Sequence, residues 1–353
     1  MPAFTGQLNA NEVYASLFNM IISQNVASDR LETGDSLVGK ARVDGSLYGD
    51  TKLYYFADIL KTHAWGGDSE ATNLLALDRG PAPATQAIQL NVFRQIRLTL
   101  DDYLSKRAWL NPASFGEFTS VLAAYMNKTK DIYDETVYNV YMGTTASAES
   151  DQNETVTLTG ATAEQRAKLI AEKVANIIAS LKKPSRKFND LKQMTKFSED
   201  QIKIVWNSKF VNEIRKVDLP AIFHNEGLVD KFAEDVLNED YFGGTISSKV
   251  AAAGEFSAEE QDFTKAGSNP IHCIAGEEAP VGYTGKVYAK DDDVICKIVV
   301  KLPPFMSAFE VGSEFYNPRA LTKTRYLTWG HNTVEYLKGY PFITLKAVDA
   351  SSN

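Results

Sequence analysis

Apolar positions along this chain keep helical spacing in three stretches and alternate with polar ones in several others. From Ser114 to Met142 the apolar residues Phe118, Leu122, Tyr125, Met126, Tyr133, Val137 and Tyr141 recur every three or four positions, which predicts one long helix of roughly 40 Å. Ser114 and Glu117 have the spacing of a capping box, and Gly143 is a natural stop. A helix of that length needs a sheet beside it. A second amphipathic stretch, Ala163 to Lys182, carries Leu169, Ile170, Val174, Ile177, Ile178 and Leu181 and is closed by Pro184. A third runs from Leu8 to Ser23, with Val13, Leu17, Met20 and Ile21 on one side.

The remaining pattern is extended. Leu47 to Leu60 is rich in aromatic and β-branched residues, and strand character resumes at Ile88, Leu90 and Val92 and again at Ile96, Leu98 and Leu100. Between them, Trp65 to Thr85 is loose and rich in Gly, Ala and Pro. Two extended arms with such a tip have too few apolar pairs to stand alone. They are expected to lie on a neighbour and to be mobile in an isolated subunit. Ile202, Ile204 and Trp206 predict a strand, as do Lys286 to Tyr288 and Val294 to Leu302. Asn212 to Arg215 and Leu228 to Val236 predict short helices. Thr144 to Gly160 reads as a polar surface loop or short exposed hairpin.

The chain has 353 residues, 44% hydrophobic content and a formal net charge of -8, enough for a core of two or three packed subdomains. Proteins that grip phosphates carry a basic surface, so direct nucleic-acid binding is disfavoured. With two cysteines, Cys273 and Cys296, there is no disulfide framework and no paired zinc motif. Cys296 alternates with Val294, Ile298 and Val300 and reads as a small buried hydrophobe. No secretory signal opens the chain and no apolar run approaches a bilayer's thickness. The expectation is a soluble product of a reducing compartment.

Candidate chemistry is thin. Gly34-Asp35-Ser36-Leu37-Val38-Gly39-Lys40 has the spacing of a phosphate-binding loop, but Ala41 follows where a hydroxyl is needed, and no apolar strand precedes it. A flexible polar loop is the better reading. The four histidines, His63, His224, His272 and His331, offer no i, i+4 pair for a metal. Asp291-Asp292-Asp293 lacks the rest of a calcium loop and reads as a solvated turn. Lys182 to Lys187 is a basic cluster at a helix C-terminus, where cations complement the dipole. No catalytic residue, cofactor site or metal site is assigned.

The strongest signal lies near the C-terminal end. Leu302-Pro303-Pro304-Phe305-Met306 leads into Phe315-Tyr316-Asn317-Pro318-Arg319-Ala320-Leu321, and Tyr326, Trp329, Tyr336, Tyr340 and Phe342 follow. Large rings, fixed proline dihedrals and one planar cation make contact surface rather than chemistry. Asn317, Pro318, Arg319, Tyr326 and Trp329 are therefore the candidate structural or interface residues. Arg319 is expected to be at least partly buried with its guanidinium paired, on the same subunit or across an interface.

This segment resembles the closing part of the major capsid proteins of tailed phages, most similarly the short-tailed group typified by phage phi-29. Gly45-Ser46-Leu47-Tyr48-Gly49 and Asp190 to Phe223 carry the likeness as well. The resemblance implies an α+β chain of the Hong Kong 97 type. In that layout 1–44 form an N-terminal arm, 45–101 an extended loop and 102–154 a peripheral domain with the spine helix. Residues 155–300 form an axial domain, and 301–353 return to the periphery. It implies self-association into hexamers and pentamers of an icosahedral head, scaffolding and portal partners, only loose contact with packaged DNA, no membrane, and a place in the virion after assembly in the host cytoplasm. Relatives of the phi-29 type carry an immunoglobulin-like addition; the expectation here is a subunit without it and without a cleaved leader. The alternatives are an encapsulin-like compartment shell and an unrelated soluble α+β enzyme.

Overall fold

A computed structural model describes residues 36–44, 51–62, 79–101, 112–143, 150–216, 232–246 and 287–348. The expected helix over 8–23 and the loop tip over 63–78 lie outside the described residues. Among the described residues there are four α-helices, α1 (Leu37–Ala41), α2 (Pro112–Gly143), α3 (Ala163–Lys182) and α4 (Ser208–Lys216). The strands are β1 (Arg42–Asp44), β2 (Thr51–Phe56), β3 (Ala84–Asp101), β4 (Asn153–Thr157), β5 (Lys203–Asn207) and β6 (Ala233–Leu237). They continue with β7 (Gly243–Ile246), β8 (Val287–Lys290), β9 (Val294–Val299), β10 (Phe305–Asn317), β11 (Thr322–Asn332) and β12 (Phe342–Val348). One sheet has the order β1-β10-β11-β3-β2, a second β4-β12-β9-β5-β6, and β7 pairs with β8.

The second sheet is covered on both faces. α3 lays Ala167, Ile170, Ala171, Val174, Ile177, Ile178 and Leu181 against it, in one cluster with Ile204, Trp206, Ile298, Ile343 and Leu345. The opposite face supplies Val205, Val294, Val299 and Phe342 to a cluster with Met126, Tyr133, Val137, Tyr138, Tyr141 and Met142 of α2. The same cluster takes Phe305, Leu327 and Trp329 from the first sheet. The C-terminal end of α2 thus sits between the two sheets. β9 is consequently buried along its whole length, as strands covered on both sides are.

Helix ends follow local chemistry. Thr162 caps α3, its Oγ1 accepting from Gln165 N while Gln165 Oε1 accepts from Thr162 N, a reciprocal box that satisfies two orphan donors. α2 begins at Pro112, where proline's fixed φ suits a first helical residue. Ser114 therefore lies inside the first turn, not before it. At the other end a Cβ on Gly143 would meet Tyr241 O at 1.9 Å, so only glycine allows this approach.

Five further expectations need correction. Tyr125 and Leu169 were placed on buried stripes, but both are exposed; each lies about 100° round the helix from the buried Met126 and Ile170. Residues 37–41 form a capped helical turn rather than a loose loop, with Leu37 and Val38 buried and Lys40 3.2 Å from Glu234. Residues 153–157 are not a loop but an edge strand parallel to β12, polar because only Val156 is fully buried. Residues 233–237 pair parallel with β5, tertiary pairing overriding a short apolar pattern that cannot fix a period. Ile88 to Leu100 is one strand, not two.

The C-terminal segment divides between the sheets. β10 and β11 join β3, whereas β12 pairs antiparallel with β9 and parallel with β4. Lys297 of β9 is wholly buried between the Phe342 ring, 4.3 Å away, and Thr344 Oγ1 at 2.6 Å. Burial, with the nearby Lys346 acting in the same sense, lowers its pKa to about 7. Cys296 is buried as expected, and the same desolvation pushes its thiol far up.

Candidate assembly surface

β3 alternates without a break: its even-numbered residues turn inward and its odd-numbered residues outward. The cross-strand register carries this alternation over the first sheet. Thr324, Tyr326 and Thr328 of β11 stand beside Thr99, Arg97 and Gln95, and Phe315, Ser313 and Val311 of β10 stand beside them in turn. On β2, Tyr55 and Leu53 flank Thr85 and Ala87. The outward face therefore combines polar ladders, Gln95 Nε2 to Thr328 Oγ1 and Thr99 Oγ1 to Thr324 Oγ1, both 3.0 Å, with large exposed rings. Tyr55, Phe93 and Phe315 are 67%, 56% and 58% exposed. The three rings are spread along the face, Phe93 opposite Gly330, Phe315 beside Thr324 and Tyr55 opposite Thr85.

The inward face rests on α2 through a polar network. Arg94 Nε donates to Tyr133 Oη at 3.0 Å. The Tyr133 hydroxyl meets His331 Nε2 at 3.3 Å, and His331 Nδ1 donates to the Asn332 carbonyl at 2.8 Å, which fixes the tautomer. Burial holds His331 down at about 4, so it is neutral. Asn332 in turn accepts from Met306 N and donates to Pro304 O and Thr333 O. Nearby, Asp134 of α2 shares Oδ2 with Lys130 and Arg42, each 3.5 Å away. Desolvation raises its pKa to about 6 despite both cations.

The five candidate residues separate by role. Asn317 locks the β10–β11 turn, its Oδ1 accepting from Arg319 N at 3.1 Å and Ala320 N at 3.4 Å, an Asx-type turn. Pro318 sits in that turn, which ends at Leu321 with φ 53°. Arg319 is exposed and has no paired carboxylate among the described residues. Within its own chain Arg319 is therefore exposed, and the expected pairing across an interface is left to the assembled state. Tyr326 is half-buried on the outward face. Trp329 is a core residue, 2% exposed and edge-on to Tyr133 at 5.6 Å.

A second feature escaped the sequence reading. The loop end of the β2–β3 hairpin, just beyond the Phe56–Ala84 pair, is held by the loop over 184–195. Asp58 Oδ2 accepts from Arg186 Nη1 at 2.7 Å and its Oδ1 from Met194 N at 3.0 Å; these bonds, the main-chain one foremost, lower its pKa. Gln193 Nε2 donates to Phe56 O at 3.1 Å. Phe56, Ile88 and Leu337 close a small cluster beneath. The loop pays in backbone geometry, with Phe188 and Lys192 at φ 63° and 50°, the left-handed region that bulky residues rarely adopt. A Cβ on Gly339 would meet the Phe56 ring at 2.2 Å.

Nothing in this geometry resembles a reaction centre. Among the described residues no group of three or more His, Cys, Asp or Glu could hold a metal, and no helix is long and apolar enough to cross a membrane. The arrangement is that of a protein whose surfaces are made to meet other surfaces, and its fold is that of phage capsid subunits. A chain of the capsid structure of Staphylococcus phage Andhra superposes with a TM-score of 0.58 at 12% identity, covering 99% of this chain and 88% of that one. A chain in the structure of head fiber and inner core protein gp22 of native bacteriophage P68 gives 0.57 at 13%, covering 98% and 88%. Curated protein sequences give no significant match. The sequence profile of the Phi29-like phage major capsid proteins matches residues 3–327, and the chain belongs to that family. It is a structural, non-enzymatic protein of the phage virion, and capsids of this family are built from multiple copies of it.

Proposed function

We propose that this chain forms the icosahedral head of a tailed phage around double-stranded DNA, through hexamers and pentamers of a Hong Kong 97-type subunit. The observation that carries this is the first sheet: one face is buried on α2 and the other displays Tyr55 and Phe315 with no cover from the described residues of the same chain. In this reading 1–44 are the N-terminal arm, 45–101 the extended loop and α2 the spine of a peripheral domain over 102–154. Residues 155–300 are the axial domain. The return is drawn at 301–332, with β12 assigned to the axial sheet because it pairs with β9. Assembly takes place in the host cytoplasm with scaffolding and portal proteins, and the acidic wall touches packaged DNA only loosely.

Asn317, Pro318 and Arg319 form a locked turn at the tip of the β10–β11 hairpin, and Arg319 reaches a carboxylate of a neighbouring subunit. Purified protein, alone and co-expressed with a scaffolding protein, is to be examined by size-exclusion chromatography and electron microscopy. Closed particles of megadalton size are expected. A chain that stays monomeric or dimeric under both conditions overturns the reading.

A further inference from the structure

Residues 36–44 touch more of the molecule than their length suggests. Ser36 caps α1, its Oγ accepting from Gly39 N at 3.3 Å. α1 lays Leu37, Val38 and Ala41 into the cluster shared by α2 and both sheets. Lys40 reaches Glu234 of β6, at the edge of the second sheet, at 3.2 Å, and Lys203 of β5 holds the same carboxylate at 2.9 Å. Directly afterwards β1 joins the first sheet, pairing parallel with Phe305, Met306 and Ser307. One short segment thus runs from one sheet to the other across α2.

Its fastening to α2 is the weak point. Asp134 is wholly buried. Its Oδ2 is shared by Arg42 of β1 and Lys130 of α2, each 3.5 Å away, whereas Lys203 meets Glu234 at 2.9 Å. Its Oδ1 has no hydrogen-bond partner among the described residues. An ionised carboxylate with one bare oxygen in a dry site is costly, and a proton removes that cost. The cations are not stranded when it does. The Arg42 side chain is 40% exposed and reaches water, and Lys130 keeps Glu310 at 3.2 Å. Between Ala308 and Val311 β10 has one residue more than β11, a bulge of the kind that re-aims a side chain, here Glu310 towards α2. Of the other charged groups, Asp131 of α2 repels Asp134. Arg94 of β3 and the neutral His331 of β11 complete the surroundings towards the first sheet. On the α1 side, Lys40 and Glu234 already pair with each other.

We infer that residues 36–44 are a strap linking the two sheets, and that the proton on Asp134 sets how firmly the strap is seated on α2. The sign follows from the burial. With the strap seated, desolvation raises the Asp134 pKa to about 6, against the pull of Lys130 and Arg42. With the strap lifted and the carboxyl wet, the pKa returns towards the ordinary 3.8. Between those values the seated form binds more protons than the lifted one. Acid therefore seats the strap, and rising pH loosens it until Asp134 is fully ionised. The device belongs to the single subunit and does not require the shell reading.

Hydrogen exchange read by mass spectrometry tests this on the full-length protein at about pH 4.5 and about pH 7.5, after correction for the chemical pH dependence of exchange. Protection over 37–44 is expected to fall roughly tenfold or more with rising pH and to level off above about pH 6, while α3 keeps its protection. Equal protection at both pH values, or a loss shared by α3, overturns the proposal.

Asp134→Asn keeps the shape and removes the charge. It is expected to hold 37–44 equally well at both pH values, and a variant that still loses protection as pH rises overturns the proposal. Arg42→Gln changes a half-exposed side chain and withdraws one cation from Asp134. It is expected to extend the fall in protection to higher pH, and an unmoved profile overturns the assignment to Asp134. None of these readings needs particles, so a failure to assemble bears on the shell reading alone.

Discussion

The two five-stranded sheets of this subunit are of equal width and differ in what covers them. The β4-β12-β9-β5-β6 sheet is closed by α3 on one face and by α2 with its attached layer on the other. Its strand β9 has no exposed residue. The β1-β10-β11-β3-β2 sheet has one such face and leaves Tyr55 and Phe315 largely exposed on the other. At about 25 cal/mol per Å² of apolar surface removed from water, the closed sheet collects its stabilisation within the chain. In the proposed assembly the open sheet retains part of its own for contact with other copies, and the contrast divides residues that hold the subunit from residues proposed to join subunits.

The most disruptive way to test the contrast is Trp206→Ala, which opens a cavity in the closed sheet. It is expected to cost about 3–5 kcal/mol, read by urea denaturation of the subunit, and an unchanged midpoint would show that this sheet is not the subunit's core.

Lys297→Met acts on the same sheet with the opposite sign. The Lys297 pKa is about 7 when folded, below the ordinary 10.5, so between those values the unfolded chain binds more protons. The parent therefore gains stability as pH rises from 7 towards 10. The methionine variant is expected to be more stable than the parent by on the order of a few kcal/mol at pH 7, and to lose that slope. A variant less stable at pH 7 would break the argument.

Phe315→Ser addresses the open sheet. The subunit's unfolding midpoint is expected to stay in place while the concentration needed for assembly rises roughly tenfold, about 1.4 kcal/mol per contact. A loss of subunit stability with assembly unchanged would reverse the roles of the two sheets. The smallest effect is expected from Asp58→Ala, which removes the acceptor joining the hairpin's loop end to Arg186 and Met194. Limited proteolysis should cut near residues 59–62 faster in the variant, with secondary structure retained, whereas equal rates would mean that the aromatic cluster under Phe56 holds that end unaided.

Long periodic segments were legible in the sequence, and short or one-sided ones were not. α3 runs from Ala163 to Lys182 as its spacing dictates, because seven buried positions on one stripe leave no alternative period. The hairpin arms were legible for a similar reason, each alternating over several residues. β4 was not: an edge strand needs one buried residue, Val156, and reads as polar loop. Nor was α1, where one caplike serine and three buried residues resemble a phosphate loop in spacing. The aromatic C-terminal segment pointed to contact surface in general. It did not separate Trp329, which faces α2, from Tyr326, three positions earlier on the outward face, because both fit an alternating strand and only the bonded partners decide the side. The clasp around Asp58 joins residues 128 positions apart from Arg186, a pairing no local pattern encodes.

The position of β12 bears on how the chain is made. The strand lies between β9 and β4, so residues 342–348 fill the gap between partners synthesised far earlier. A ribosome delivers β4, α3, β5 and β9 before the strand that joins them exists. A chain broken off before Phe342 leaves Val294–Val299 with an apolar flank and β4 with nothing to pair against. Such fragments expose the interior to chaperones and proteases and cannot present a finished subunit. Placing a late segment between β4 and β9 thus makes this sheet complete only once residues 342–348 have been synthesised.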